Sequence, residues 1–211
     1  MEDTHERSGY HYPNRIGRIA LSALAEVMGE RGLKAVLNLA RLQHLIETPP
    51  PDNLALEFDF EDFAALNKAL EDVYGPRGGR GLALRSGRAT FDQGLKNFGA
   101  VVGIADRAFK LLPLSIRLNV GIKAMAKTFS QFSDQTSRVE EQADRFVYII
   151  ERCPVCWGRH NADKPVCYMA VGLLEAGVLW GTDRHYKVVE TKCVAMGAAT
   201  CSFDILKTPL D

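Results

Sequence analysis

Apolar residues recur at steps of three and four from Ile16 through Ile19, Ala20, Ala23, Leu24, Val27 and Met28. That spacing predicts a helix with one buried face, and Asn14 is placed to cap it. Gly29 to Gly32 interrupts the pattern, and a second run through Leu33, Val36, Leu37, Ala40 and Leu45 leads to the stop at Pro49, Pro50 and Pro51. Asp59 then precedes Phe60, Phe63, Leu66, Leu70 and Val73, with Gly75 as the predicted helix end.

The longest periodic signal joins Phe91, Leu95, Phe98, Val102, Ala105, Phe109 and Leu112 and breaks at Pro113. Leu118, Ile122, Met125, Phe129 and Phe132 repeat it in the next segment. Stripes of this kind form core or a helix-packing seam. After a polar stretch from Ser133 to Asp144, the β-branched and aromatic run Arg145 to Glu151 reads as a strand. Pro165 opens a helix containing Cys167, Leu174 and Val178, and Tyr186 to Glu190 and Cys201 to Leu206 read as two further strands. The expected class is α/β in the broad sense, α+β in detail: a helical N-terminal half packed on a small antiparallel sheet. Residues 1–80 are expected as a helical, dimerising region and 81–211 as a second domain.

Composition narrows the function. The 211 residues include 26 basic and 26 acidic side chains, so the global positive charge common in nucleic-acid binders is missing and no nucleic-acid partner is expected. No segment approaches the ~20 apolar residues of a membrane span, and the polar start Met1 to Arg7 does not read as a leader. A cytoplasmic location is therefore expected. Five cysteines in this setting favour metal ligation over disulfides, with buried structural thiols as the plain alternative.

Cys193 and Cys201 flank a short glycine-containing connection that can turn two thiolates toward one point, and Glu190 lies three residues before the first of them. Cys167 falls in the first turn of a predicted helix, where the dipole favours a thiolate. Its membership of the same site does not follow from these residues alone. Cys153-Pro-Val-Cys156-Trp-Gly-Arg159 adds a pair that suits half of a zinc site, a redox dithiol or part of an iron-sulfur cluster.

The spacing Cys167, 22 residues, Glu190, two residues, Cys193, seven residues, Cys201, ending in Cys-Ser-Phe-Asp-Ile, resembles the 4-vinyl reductase domain family over roughly residues 80 to 207. It is similar in particular to the zinc-binding sensory domains of phenol-responsive bacterial regulators. The resemblance implies a ligand-binding fold and a zinc ion held by Cys167, Glu190, Cys193 and Cys201, with Cys153 and Cys156 as alternates. Gly197-Ala198 replaces the family's frequent Gly-Asp and removes no ligand. The added Cys153 and Cys156 are absent from the phenol sensors, which keeps an iron-sulfur cluster open as the alternative cofactor.

The resemblance further implies a small hydrophobic ligand, an aromatic compound or a tetrapyrrole, in a sensor, carrier or assembly factor of the stand-alone type found in phototrophic bacteria. Phe91, Phe98, Phe109, Phe129 and Trp157 are the candidate walls, and Arg85 and Arg88 the candidate carboxylate contacts beside the basic, flexible segment Tyr74 to Gly81. A homodimer is expected, because the N-terminal apolar helices exceed what one small sheet covers and the family's sensors dimerise. Catalysis is the competing class: a tetrapyrrole vinyl reductase, or an iron-sulfur redox module using the Cys-x-x-Cys pair. His5, His11, His44, His160 and His185 stand in unrelated contexts, and no dinucleotide fingerprint is present, so a binding module is favoured over an enzyme.

Overall fold

The computed structural model describes residues 7–102 and 107–211, with the side chains of 97–102, 107 and 108 outside the description. In chain order the elements are β1 (His11–Pro13), α1 (Asn14–Leu39), α2 (His44–Glu47), β2 (Leu56–Asp59), α3 (Phe60–Val102), α4 (Arg107–Lys110), α5 (Leu114–Phe132), β3 (Ser137–Glu141), β4 (Arg145–Ile150), α6 (Tyr168–Thr182), β5 (Tyr186–Lys192) and β6 (Cys201–Pro209). The expected α+β class is borne out: β3, β4, β6 and β5 form, in that order, an antiparallel sheet beside a helical N-terminal half.

Local chemistry explains several boundaries. Asp59 starts α3 because its Oδ1 accepts the Glu61 amide at 2.8 Å, satisfying one of the orphan donors of the first turn. Asn14 does not cap α1. Pro13 stands before the helix, and the Asn14 amide group donates instead to Glu57 Oε2 at 2.6 Å and Asn53 Oδ1 at 3.1 Å, tying α1 to β2. Gly29 at φ 75° kinks α1, whereas Gly75 at φ 72° kinks α3 without ending it. Pro76, with its φ preset, restarts the helix directly. The segment expected as a flexible basic loop, Tyr74 to Gly81, is therefore helical, and the division expected at residue 80 falls inside α3.

Two features leave little trace in the periodicity. The polar stretch before β4 contains the edge strand β3, whose exposed charged positions hide its alternation. The three- and four-residue strands β1 and β2 pair with each other and are too short to show a period.

Helix α6 lies between α3 and the sheet, and its contact with α3 is glycine-dependent. A Cβ on Gly87 would sit 2.0 Å from the Met169 carbonyl oxygen, and one on Gly172 would sit 2.0 Å from that of Leu84. Backbone cannot yield as a side-chain tip can. Gly87→Ala is expected to cost roughly 1–3 kcal/mol or more through overpacking, outweighing the helix-propensity gain of about 1 kcal/mol. A lowered urea midpoint would show it; an unchanged or raised midpoint would contradict the close contact.

The apolar face of α1 is consumed within the chain, since Ala20, Leu21, Leu24, Val36 and Leu37 are buried, largely against α3. Exposed apolar side chains remain instead at Leu111, Leu112, Ile116 and Val120.

Candidate functional site

Four separate pieces of chain bring cysteines to one place. Cys153 and Cys156 lie in the turn after β4; Cys167 precedes the first residue of α6; Cys193 follows β5; Cys201 opens β6. Antiparallel register pairs Ile150 with Cys201, so the chain leaving β4 turns directly over the start of β6. On β5, Tyr186, Val188 and Glu190 are buried while Lys187, Val189 and Thr191 are exposed, and this period of two carries the Glu190 carboxylate inward.

All five thiols are at most 3% exposed. Sulfur separations are 3.5 Å for Cys156 and Cys201, 3.6 Å for Cys153 and Cys167, 3.8 Å for Cys167 and Cys201, and 3.9 Å for Cys167 and Cys193. Two four-donor sets have every ligand atom within 4.8 Å of the others: Cys153, Cys156, Cys167, Cys201 and Cys167, Glu190, Cys193, Cys201. The second is the set anticipated from the spacing. The Cys-x-x-Cys pair joins the same cluster, while the exposed His160 belongs to neither set.

Charge in this cluster is poorly compensated by protein groups. Glu190 Oε2 accepts the Cys167 amide at 2.8 Å, but Oε1 is buried without a hydrogen-bond partner. Burial, and then the neighbouring Cys193 thiolate, push the Glu190 carboxyl up to about 8. Burial also raises the Cys167 thiol well above its ordinary range, reinforced by the surrounding sulfurs. Cys156 opposes ionisation of Cys193, yet hydrogen bonds from Cys167 and Cys201 outweigh it and bring that thiol down to about 6. One thiolate forms only at its neighbours' expense. A cation removes the conflict: sulfurs at about 2.3 Å from a tetrahedral zinc lie ~3.8 Å apart, the spacing observed here. The buried cluster can thus hold a metal ion, and the orphaned Oε1 is oriented to complete its shell.

Beside the cluster lies an apolar cavity of about 130 Å3 between α1, α3, α5 and α6, walled among others by Ile16, Ile19, Phe63, Phe91, Leu95, Phe129 and Phe132. Its polar neighbours are already engaged. Thr90 donates to the Ser86 carbonyl, Thr128 to that of Ala124, and the Tyr12 hydroxyl to Gln135 Oε1. An inner chamber of about 40 Å3 shares Tyr12, Phe63, Thr90, Phe129 and Leu173 with it and reaches Val155, between the two cysteines of the turn.

Of the expected wall residues, Phe91 and Phe129 line the cavity. The Phe98 side chain lies outside the described residues. Phe109 stacks on Trp180 at 5.9 Å, and Trp157 packs against Tyr10 and Phe60; neither is among the residues lining the cavity. Arg85 and Arg88 are exposed on α3, where Arg88 pairs with Glu175 at 2.7 Å. Two further wall positions carry no signal in the sequence: Tyr12 sits in a three-residue strand, and Gly94, lacking a side chain, leaves no periodic mark.

Comparison with known proteins agrees with the cysteine spacing. Residues 146–207, which contain all six donors, match the model of the 4-vinyl reductase domain family. A bacteriochlorophyll synthase 23 kDa chain from Cereibacter sphaeroides is 28% identical over 146 residues, 68% of each chain. The whole fold resembles the Fe(II) unliganded H-NOX protein from K. algicida, with TM-score 0.55 and 14% identity over 94% of this chain and 98% of that one. The Fe(II)NO-ligated H-NOX protein from S. oneidensis gives TM-score 0.55 and 12% identity over 90% and 99%. At these identities the likeness is one of fold.

Proposed function

Because the C-terminal part of this chain belongs to the 4-vinyl reductase domain family, we propose that it is a receptor-type domain, a sensor or carrier, in which a zinc ion fastens the sheet to α6 and the cavity takes a small hydrophobic guest. The observation that carries the reading is the cavity itself, apolar on its walls and with its few hydroxyls turned to internal partners. Such a site rewards shape and apolar surface and offers a guest no hydrogen bond. Its volume of about 130 Å3 is near that of apolar protein cavities of ~150 Å3 that accept benzene. The guest we propose is accordingly a compound of one apolar ring.

Zinc is proposed on spacing: ligand atoms within 4.8 Å of one another suit a single ion between them better than a cluster with several irons at its centre. The ligands are those anticipated, Cys167, Glu190, Cys193 and Cys201, with Cys153 and Cys156 within reach of the same centre. Arg85 and Arg88 are not assigned to the guest, and a homodimer is retained with the exposed apolar residues of α5 as its candidate face.

A tetrapyrrole guest is the second reading, favoured by the name of the Cereibacter sphaeroides relative. Native mass spectrometry of unheated protein distinguishes the two and reports subunit number as well. Retained benzene-class guest, or its uptake on titration, supports the first reading; a co-purifying pigment with Soret and red absorption bands would replace it. A band near about 400 nm that bleaches with dithionite would replace zinc with an iron-sulfur cluster.

A further inference from the structure

Six donor atoms are more than one tetrahedral ion can use. They divide without remainder into two sets of four that have Cys167 and Cys201 in common. The shared sulfurs are 3.8 Å apart, which is the length of an edge of a tetrahedron about one zinc ion. Cys153 and Cys156 complete one tetrahedron on that edge, and Cys193 and Glu190 complete the other.

We propose that the cluster is a dinuclear site: two divalent thiophilic cations, zinc in the first instance, bridged by the Cys167 and Cys201 thiolates. Charge favours this count. Five thiolates and one carboxylate carry six negative charges in a fully buried place, so one divalent ion leaves four uncompensated and two ions leave two. The geometry of Glu190 points the same way. An ion held by the four sulfurs Cys153, Cys156, Cys167 and Cys201 alone leaves Glu190 Oε1 buried, 7% exposed as a residue and without a partner, whereas the second ion takes it as a ligand. Loading releases the thiol protons and needs no oxidant or reductant.

This inference rests on reading the cluster as a metal centre, and the test separates the two. The full-length chain is reconstituted anaerobically with excess zinc, freed of loose metal and weighed by native mass spectrometry. Two retained zinc ions are expected, with one lost in C193S and one lost in C153S/C156S. A single retained ion at saturation in the wild-type chain overturns the dinuclear site and leaves the mononuclear reading standing; no retained ion overturns both. Cadmium substitution gives a readout independent of the variants' folding. Two 113Cd resonances, mutually coupled through bridging sulfur, are expected from the wild-type chain, and one resonance contradicts the proposal.

Discussion

Replacing Cys201 by serine should remove bound metal altogether and unfold the C-terminal sheet. Cys201 is in both four-donor sets, contacts Cys156 and Cys167 at 3.5 and 3.8 Å, and is fully buried at the first position of β6. Structural zinc contributes apparent binding free energies of ~10–16 kcal/mol in small zinc-binding peptides, and that energy is folding energy where the site forms only in the folded chain. A weakened ligand set is therefore expected to lower the stability of the metal-loaded protein by several kcal/mol, to the order of a domain's whole stability. Thermal melts with and without a chelator measure this. The chelator should lower the midpoint of the wild-type chain strongly and that of C201S little. A C201S protein that keeps its metal and its midpoint would remove the cluster from any role in folding.

Gly94→Phe addresses the cavity in the opposite way, by filling it. Gly94 lines the cavity, lies within α3, and an added Cβ meets nothing within 4 Å. The substitution thus adds apolar volume where space exists, and relieving a helical glycine itself contributes about 0.5–1 kcal/mol. Guest binding should fall by 100-fold or more, corresponding to about 2.7 kcal/mol or more, while the thermal midpoint holds or rises. Benzene-class titration by calorimetry reads the first quantity and circular dichroism the second. Undiminished binding by a stable Gly94→Phe protein would place the guest elsewhere.

Legibility in the sequence follows length of pattern. The α1, α3 and α5 stripes are legible because each runs over several turns, and β4, β5 and β6 because apolar and β-branched residues mark them. Gly75 misleads for a definable reason: φ 72° is the geometry of a helix end, but Pro76 restarts the helix, so a terminator becomes a kink. The donors are legible from spacing and resemblance. That Cys153 and Cys156 meet the others depends on the pairing of Ile150 with Cys201, a contact 51 residues apart that no local pattern records. Trp157 and Phe109 do not line the cavity expected of them, because an aromatic residue announces burial without stating against what.

The cysteine cluster also has a topological meaning. Sulfur contacts join positions 14, 26, 34 and 45 residues apart along the chain. An ion there would act as a set of cross-links closing nested loops, and each loop closed in advance removes freedom from the unfolded chain, slowly increasing with loop length. Before β6 has paired with β4, however, Cys153 and Cys156 are two thiols on one tight turn with no partners in place. The order of events in folding then decides the outcome: strand pairing first delivers a complete ligand shell, while early oxidation of that pair would leave the staple permanently open.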